Sequence, residues 1–401
     1  MTATRLAIVC SHPVQYYAPW FRDLARGPGR DLRVFYLWNP AADASGAHDP
    51  EFGRPVAWDT DLLSGYAHEF VPNLAARPGT SRFGGLRNPS LPARLRAWRP
   101  DAVLTFGYGW RTHLALALTW RDCPLILRGD SHDLGRDVAS PLRRRLRSAA
   151  LRLLFTRFAA FAAVGAANRD HYLRHGVPPA RIRHVPHCVD NAAFARTAAV
   201  EHAAAEWRAS LGIPPRHRVV GFIGKLVPKK RPDHLLEAFA RLAPSDTTLL
   251  IVGDGELRDS LATRARDVPH VVFASFQNQS LMPRALAALD LLVLPSQGPG
   301  ETWGLVVNEA MALGVPCVVS DHVGCRADLV EDDVTGWSFP AGDMDALSSS
   351  MARALARLST AAGPVRTAVL ERISAYSHPR ATAALHRILD DLPARAASSP
   401  P

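Results

Sequence analysis

Two glutamates, Glu301 and Glu309, stand with seven residues between them in Gly300-Glu301-Thr302-Trp303-Gly304-Leu305-Val306-Val307-Asn308-Glu309-Ala310-Met311-Ala312. An apolar run, Leu291 to Leu294, ends in Pro295-Ser296 just before them, so the region reads as buried strand, loop and helix. Glu301 falls in the loop, and Glu309 lies about two helical turns further on. Between them the unbonded N–H groups of the first turn, around Thr302, Gly304, Leu305 and Val306, offer an anion site. Acid, anion cradle and acid together suit a nucleotide-diphosphate sugar. One carboxylate would take sugar hydroxyls, the backbone dipoles would take phosphates, and the other carboxylate would take a ribose diol.

A second cluster is basic. The chain holds 44 Arg but only three Lys, and Lys225, Lys229 and Lys230 share one loop. Gly221 to Pro232 reads as strand, glycine turn and basic loop opening onto a helix, where Gly224 allows close backbone approach and Lys225 and Lys230 can converge on a diphosphate. A compact ammonium on a flexible stem fits a crowded phosphate site better than a rigid guanidinium fork. The plainer reading is a solvated surface loop. Ile251 to Glu256 is another strand, glycine turn and helix entry, carrying Gly253, and Phe276, Gln277 and Asn278 occupy the next strand-end loop.

Taken together, Leu-Pro-Ser followed by Glu-Thr-Trp-Gly-Leu-Val-Val-Asn-Glu-Ala-Met-Ala, the Gly224–Lys230 loop and Gly253-Asp254-Gly255 resemble the retaining glycosyltransferases of family 4. The likeness is dense from about Arg218 to Gly342; before it, Gly165-Ala166-Ala167-Asn168 and Val185-Pro186-His187-Cys188-Val189-Asp190 are its best matches, and some members of the family share the opening His12-Pro13-Val14-Gln15-Tyr16-Tyr17. The resemblance implies an α/β protein of GT-B fold, two Rossmann-like doubly wound domains facing a central cleft. It places the donor mainly on the second domain, with Lys225 at the family's usual arginine position and the loop Phe276 to Asn278 near the nucleobase. It places the acceptor on the first, where His12 and Gln15 would face the cleft. In Arg128-Gly129-Asp130-Ser131-His132-Asp133 either Asp130 or His132 would take the role of the family's histidine beside the transferred sugar.

The activity so implied moves a sugar from a UDP- or GDP-linked donor to a hydroxyl with retained anomeric configuration, without an obligatory metal or any other cofactor. A glycan or lipid-linked acceptor in cell-envelope or exported polysaccharide assembly is the first expectation, and a small secondary metabolite is the second. A sugar-nucleotide epimerase or a non-catalytic sugar-nucleotide binder would share the same motifs.

These residues need two sheets to position them. Leu6 to Cys10, Leu32 to Leu37, Ala102 to Phe106, Leu125 to Leu127 and Phe161 to Val164 read as strands of a first parallel sheet; Val219 to Ile223, Leu249 to Val252, Val271 to Phe273, Leu291 to Leu294 and Cys317 to Val319 read as a second. Residues 1–195 are expected as the first domain, 196–216 as a linker with its own helix, 217–376 as the second domain, 377–392 as a helix returning to the first, and 393–401 as a disordered tail. Trp38 to Pro89 is an irregular excursion, read as acceptor-binding. Pro141 to Phe158 is a basic amphipathic helix, with Leu142, Leu146, Ala149, Ala150, Leu153 and Leu154 at helical spacing among six arginines. It suits either an anionic membrane or a core-facing helix whose arginine stems cover its edge.

At 401 residues, 47% hydrophobic and 21% charged, the chain is an ordinary globular protein large enough for two cores. The start carries no signal-like apolar core and no uncharged run of 18 apolar residues occurs, so a cytoplasmic protein is expected, peripheral at the inner membrane face if the basic half docks there. Residues 1–190 carry a net charge of +11 and residues 191–401 carry −1. That asymmetry points to a membrane surface, lipid phosphate or acidic glycan, or merely to an arginine-decorated face; no nucleic-acid partner is assigned. Five scattered cysteines without a Cys-x-x-Cys pair suit buried reduced thiols rather than a zinc site.

Overall fold

In the computed structural model the described residues are 4–42, 48–49, 54–55, 57–135 and 140–392; the expected disordered tail, 393–401, lies outside them. Seven strands, β1 (Thr4–Cys10), β2 (Arg30–Tyr36), β3 (Ala67–Phe70), β4 (Ala102–Phe106), β5 (Leu125–Gly129), β6 (Ala160–Ala163) and β7 (Ile182–His184), form one sheet in the order β3-β2-β1-β4-β5-β6-β7. Six more, β8 (Arg218–Ile223), β9 (Thr247–Val252), β10 (Val271–Ala274), β11 (Leu291–Leu294), β12 (Cys317–Ser320) and β13 (Gly336–Phe339), form another in the order β10-β9-β8-β11-β12-β13. All pairings in both sheets are parallel.

Parallel strands need cover on both faces, which is why the central ones are continuous apolar runs. Along β1, Ala7 and Val9 join one buried cluster while Leu6, Ile8 and Cys10 join the cluster on the opposite face. The strands absent from the sequence reading, β3, β7 and β13, are all edges or near-edges of three or four residues. Ala67-His68-Glu69-Phe70 and Ile182-Arg183-His184 mix charges into the run and leave half or more of it exposed or half-buried, so no apolar signal marks them.

Chain order reverses beside the first strand of each sheet: β1 lies between β2 and β4, and β8 lies between β9 and β11. Such switch points open a crevice beyond the carboxyl ends of the strands. The loops after β1, β8 and β11 therefore meet, and they carry Gln15, Gly224 to Lys230 and Glu301.

The two sheets are joined by more than a tether. Helix Ala198–Ser210, in the stretch read as a linker, is capped by the Thr197 hydroxyl and buries Ala204 and Trp207 in the core of the second sheet. Helix His378–Asp391 packs on the first domain: Trp20 Nε1 donates to Thr382 at 3.0 Å, and His378 Nδ1 pairs with Asp23 at 3.0 Å. Helix Pro141–Phe155 buries only Leu151, Leu154 and Phe155. Leu142, Leu146 and Leu153 are 67%, 63% and 70% exposed, so the leucines that read as one face do not share one buried surface.

Candidate active site

A cleft of about 440 Å³ opens where the two switch points face each other. The first domain lines it with Gln15, Tyr16, Tyr17, Trp58, Asp130 and His187; the second lines it with the glycine and lysine loops, Phe276, Gln277 and the stretch from Gly300 to Glu309.

Glu301 is nearly buried on the second-domain side. Its Oε2 accepts from Ser296 Oγ at 2.8 Å and from Lys230 Nζ. Two backbone bonds hold this arrangement: Lys230 N donates to Val227 O at 3.0 Å, and Gln297 N donates to Lys229 O at 2.9 Å, tying the lysine loop to the glutamate loop. Gly304 then turns the chain into helix Leu305–Ala312 at φ +94°, where a Cβ would meet Leu294 and Val323 at 3.0 Å. Gly304, Leu305 and Val306 all border the cleft, so the amide end of that helix, with its partial positive charge, lies against it.

Glu309 sits further along the same helix, 1% exposed. Gln279 Nε2 donates to its Oε1 at 3.1 Å, while its Oε2 is buried with no hydrogen-bond partner. Burial pushes its carboxyl up to about 8, outweighing the opposing effect of the Gln279 bond. At neutral pH it is therefore a neutral acid that can donate as well as accept.

Beneath the cleft the loops after β8 and β9 touch backbone to backbone. A Cβ on Gly253, whose φ is +139°, would lie 1.9 Å from the Gly224 carbonyl oxygen. From the opposite side the Thr302 hydroxyl donates to Asp130 Oδ2 at 2.6 Å across the domain boundary. Nearby, Trp303 Nε1 donates to Asn308 Oδ1 at 2.7 Å, and Asn308 Nδ2 donates to the His187 carbonyl at 3.0 Å. Trp303 also packs on Gly165, where a Cβ would come within 2.3 Å of the indole.

Family models place both halves of the chain. One described as Glycosyltransferase Family 4 matches residues 17–193, and one described as Glycosyl transferases group 1 matches residues 203–362. A GDP-mannose-dependent alpha-mannosyltransferase of Mycolicibacterium smegmatis is 31% identical over 298 residues, covering 72% of this chain and 73% of its own. The chain belongs to glycosyltransferase family 4.

The transferase is also 30% identical over 323 residues to a D-inositol 3-phosphate glycosyltransferase of Segniliparus rotundus, covering 73% of this chain and 67% of that one. Among solved structures, Anabaena HepE with UDP and glucose bound matches with a TM-score of 0.69 at 19% identity, over 97% of this chain and 100% of that one. Sucrose-phosphate synthase from Thermosynechococcus elongatus matches with a TM-score of 0.70 at 19% identity, over 96% and 98%. At such identities the likeness concerns the fold, which is GT-B.

Of the positions the sequence reading assigned to the transferase's site, Glu301, Asp130, Gly224, Lys225, Lys230, Gly253, Phe276, Gln277, Thr302, Gly304, Leu305, Glu309 and Gln15 all border the cleft. Three others do not. His132 is buried behind it: its Nδ1 accepts from Leu134 N at 3.1 Å, so Nε2 carries the proton and donates to the Glu301 carbonyl at 3.2 Å. It braces the glutamate's backbone from the first domain. His12 packs against Trp38 with ring centres 5.6 Å apart and bonds Ser11 at 2.9 Å, and burial lowers its ring to about 4. Asn278 instead reaches the first domain, donating to the Ala57 carbonyl at 2.7 Å.

The reading missed Ser296, Gln279 and Trp58. Ser296 stood inside the quoted Pro-Ser step and could have been found there; Trp58 lies in the irregular excursion, and its partner is more than 200 residues away. Among the described residues one group has metal-ligand spacing, Asp133, His171 and His175. Its carboxylate already bonds His171 at 3.0 Å and pairs with Arg174 at 3.0 Å and Arg147 at 3.5 Å, whose charges oppose a cation.

Proposed function

We propose that the protein transfers a sugar from a nucleotide-diphosphate donor to a hydroxyl with retention of anomeric configuration. The convergence of Lys230, Glu301 and the amide end of helix Leu305–Ala312 on one cleft carries this reading. The diphosphate would lie against that helix end and the lysine loop, the transferred sugar against Glu301, and the ribose against Glu309, whose unpartnered Oε2 would gain a hydroxyl partner. Asp130 and Gln15 would border the acceptor.

In the proposed step the bond from the sugar's anomeric carbon to the diphosphate oxygen breaks as the acceptor oxygen bonds the same carbon on the same face. The acceptor's proton passes to the departing diphosphate oxygen. Negative charge grows on that oxygen, and Lys225, Lys230 and the helix end, which all border the cleft, would stabilise it. With that much positive charge in place the route asks for no metal. The Mycolicibacterium relative's name makes GDP-linked hexoses the first donors to try.

The test is a panel of GDP- and UDP-sugars with glycan, lipid-linked and small-molecule acceptors, the product's anomeric proton being followed by NMR. Retained configuration is expected. An inverted product contradicts the mechanism, and nucleotide release with an epimerised sugar and no acceptor selects the epimerase reading.

A lipid-linked acceptor at an anionic membrane is favoured by helix Pro141–Phe155, which presents Leu142, Leu146 and Leu153 to solvent among exposed arginines. Leucines and arginines together are what an interfacial helix needs. Among the described residues no helix is long and apolar enough to cross a membrane.

A further inference from the structure

We infer that residues 57–60 of the first domain form a strap over the donor cleft, with Trp58 covering the nucleobase and Asp59 latching the strap to the second domain. The inference rests on the donor-site reading above and names the part of the site that grips the base.

Trp58 borders the cleft, and its ring centre lies 6.2 Å from that of Phe276, the planes inclined by 58°. The two rings come from different domains, and Phe276 follows edge strand β10, two places along the sheet from β8, which leads into the lysine loop. An aromatic face there can bear on any nucleobase, because every base presents a π-face.

The latch consists of four hydrogen bonds between residues some 220 positions apart. Asn278 Nδ2 donates to Ala57 O at 2.7 Å and Asp59 N donates to Asn278 Oδ1 at 3.3 Å, a reciprocal pair. Ser280 N donates to Asp59 Oδ1 at 3.1 Å, and the Ser280 hydroxyl donates to Asp59 Oδ2. On its other side the strap is anchored within the first domain. Asp61 Oδ1 accepts from Leu63 N at 3.0 Å and Ser64 N at 3.1 Å, and Arg22 Nε donates to Ser64 O at 3.0 Å.

Asp59 and Ser280 are both exposed, so the latch can part against water without disturbing either core. Parting would admit a nucleotide, and reclosing would hold it by the base. The strap should therefore slow dissociation, where most affinity differences at one site reside.

The experiment measures dissociation of GDP and UDP from the immobilised full-length chain for wild type, Asp59→Ala and Trp58→Ala, with inorganic pyrophosphate as a base-free probe. Both variants are expected to release the better-bound nucleotide about tenfold faster, with pyrophosphate affinity and thermal midpoint unchanged. Wild-type release rates in both variants overturn the strap. Equal weakening toward pyrophosphate also overturns it, since the effect would then lie in the phosphate site. If wild type binds neither nucleotide, the donor-site reading fails and the strap with it.

Discussion

Lys230 and Glu301 are paired on the second-domain wall of the cleft, and Ser296 donates to the same carboxylate oxygen that receives the lysine. A diphosphate bound in the cleft and Glu301 would compete for one ammonium.

Glu301→Gln separates the two roles. Without its charge the side chain holds sugar hydroxyls less well, and turnover should fall by about a hundredfold, or ~3 kcal/mol of barrier. Lys230 is released from its ion pair, so GDP or UDP should bind at least as tightly as to wild type. Steady-state kinetics beside calorimetric nucleotide titration checks both halves; loss of nucleotide affinity in step with turnover would contradict the assignment.

Glu309 makes stability depend on pH. Below the ordinary carboxyl value of 4.5 both native and unfolded chains hold its proton; from there up to about 8 the unfolded chain releases it while the buried group keeps it. The native state thus binds more protons, and the stabilisation present at low pH is lost as pH rises. The Glu309→Gln variant, which never ionises, should gain on wild type across pH 4.5 to 8 and hold a constant lead above that window. Thermal midpoints of the two proteins from pH 4 to 9 provide the comparison, and a difference that does not change with pH would count against a buried neutral acid.

Gly253→Ala tests the backbone contact beneath the cleft. The new methyl would lie 1.9 Å from the Gly224 carbonyl at a φ of +139°, so one of the two loops must move. A loss above about 2 kcal/mol is expected in chemical denaturation, together with weaker nucleotide binding. Wild-type stability would show that the loops do not touch as described.

Leu146→Asp puts a charge on the exposed leucine row of helix Pro141–Phe155. Co-sedimentation with phosphatidylglycerol vesicles should fall by tenfold or more, on the order of 1.4 kcal/mol, with transfer to a water-soluble acceptor unchanged. Equal co-sedimentation of both proteins, or none with wild type, would rule the helix out as a membrane contact.

How much of this was legible beforehand follows from locality. Strands β1, β4, β8, β9 and β11 are buried on both faces and announce themselves as apolar runs, and the loops after β8 and β11 carry their glycines, lysines and glutamates in short, readable order. The edges β3, β7 and β13 are short, and β3 and β7 are mixed with charge, because one side of an edge strand has no neighbour to satisfy. His12 and His132 looked suitable as strand-end histidines, yet ring packing against Trp38 and the bond to the Glu301 carbonyl take them off the cleft. The Trp58–Phe276 and Asp59–Ser280 contacts join residues far apart in sequence, and no local pattern encodes such a pairing.

The most direct test of the proposed donor site is the affinity of a nucleoside diphosphate for wild type and for Lys230→Ala, measured by calorimetry at one salt concentration. Wild type should bind GDP or UDP, and the alanine variant should bind it at least tenfold more weakly, about 1.4 kcal/mol, because a phosphate would have lost its ammonium. Equal affinities in the two proteins would place the diphosphate elsewhere and contradict the donor site described above.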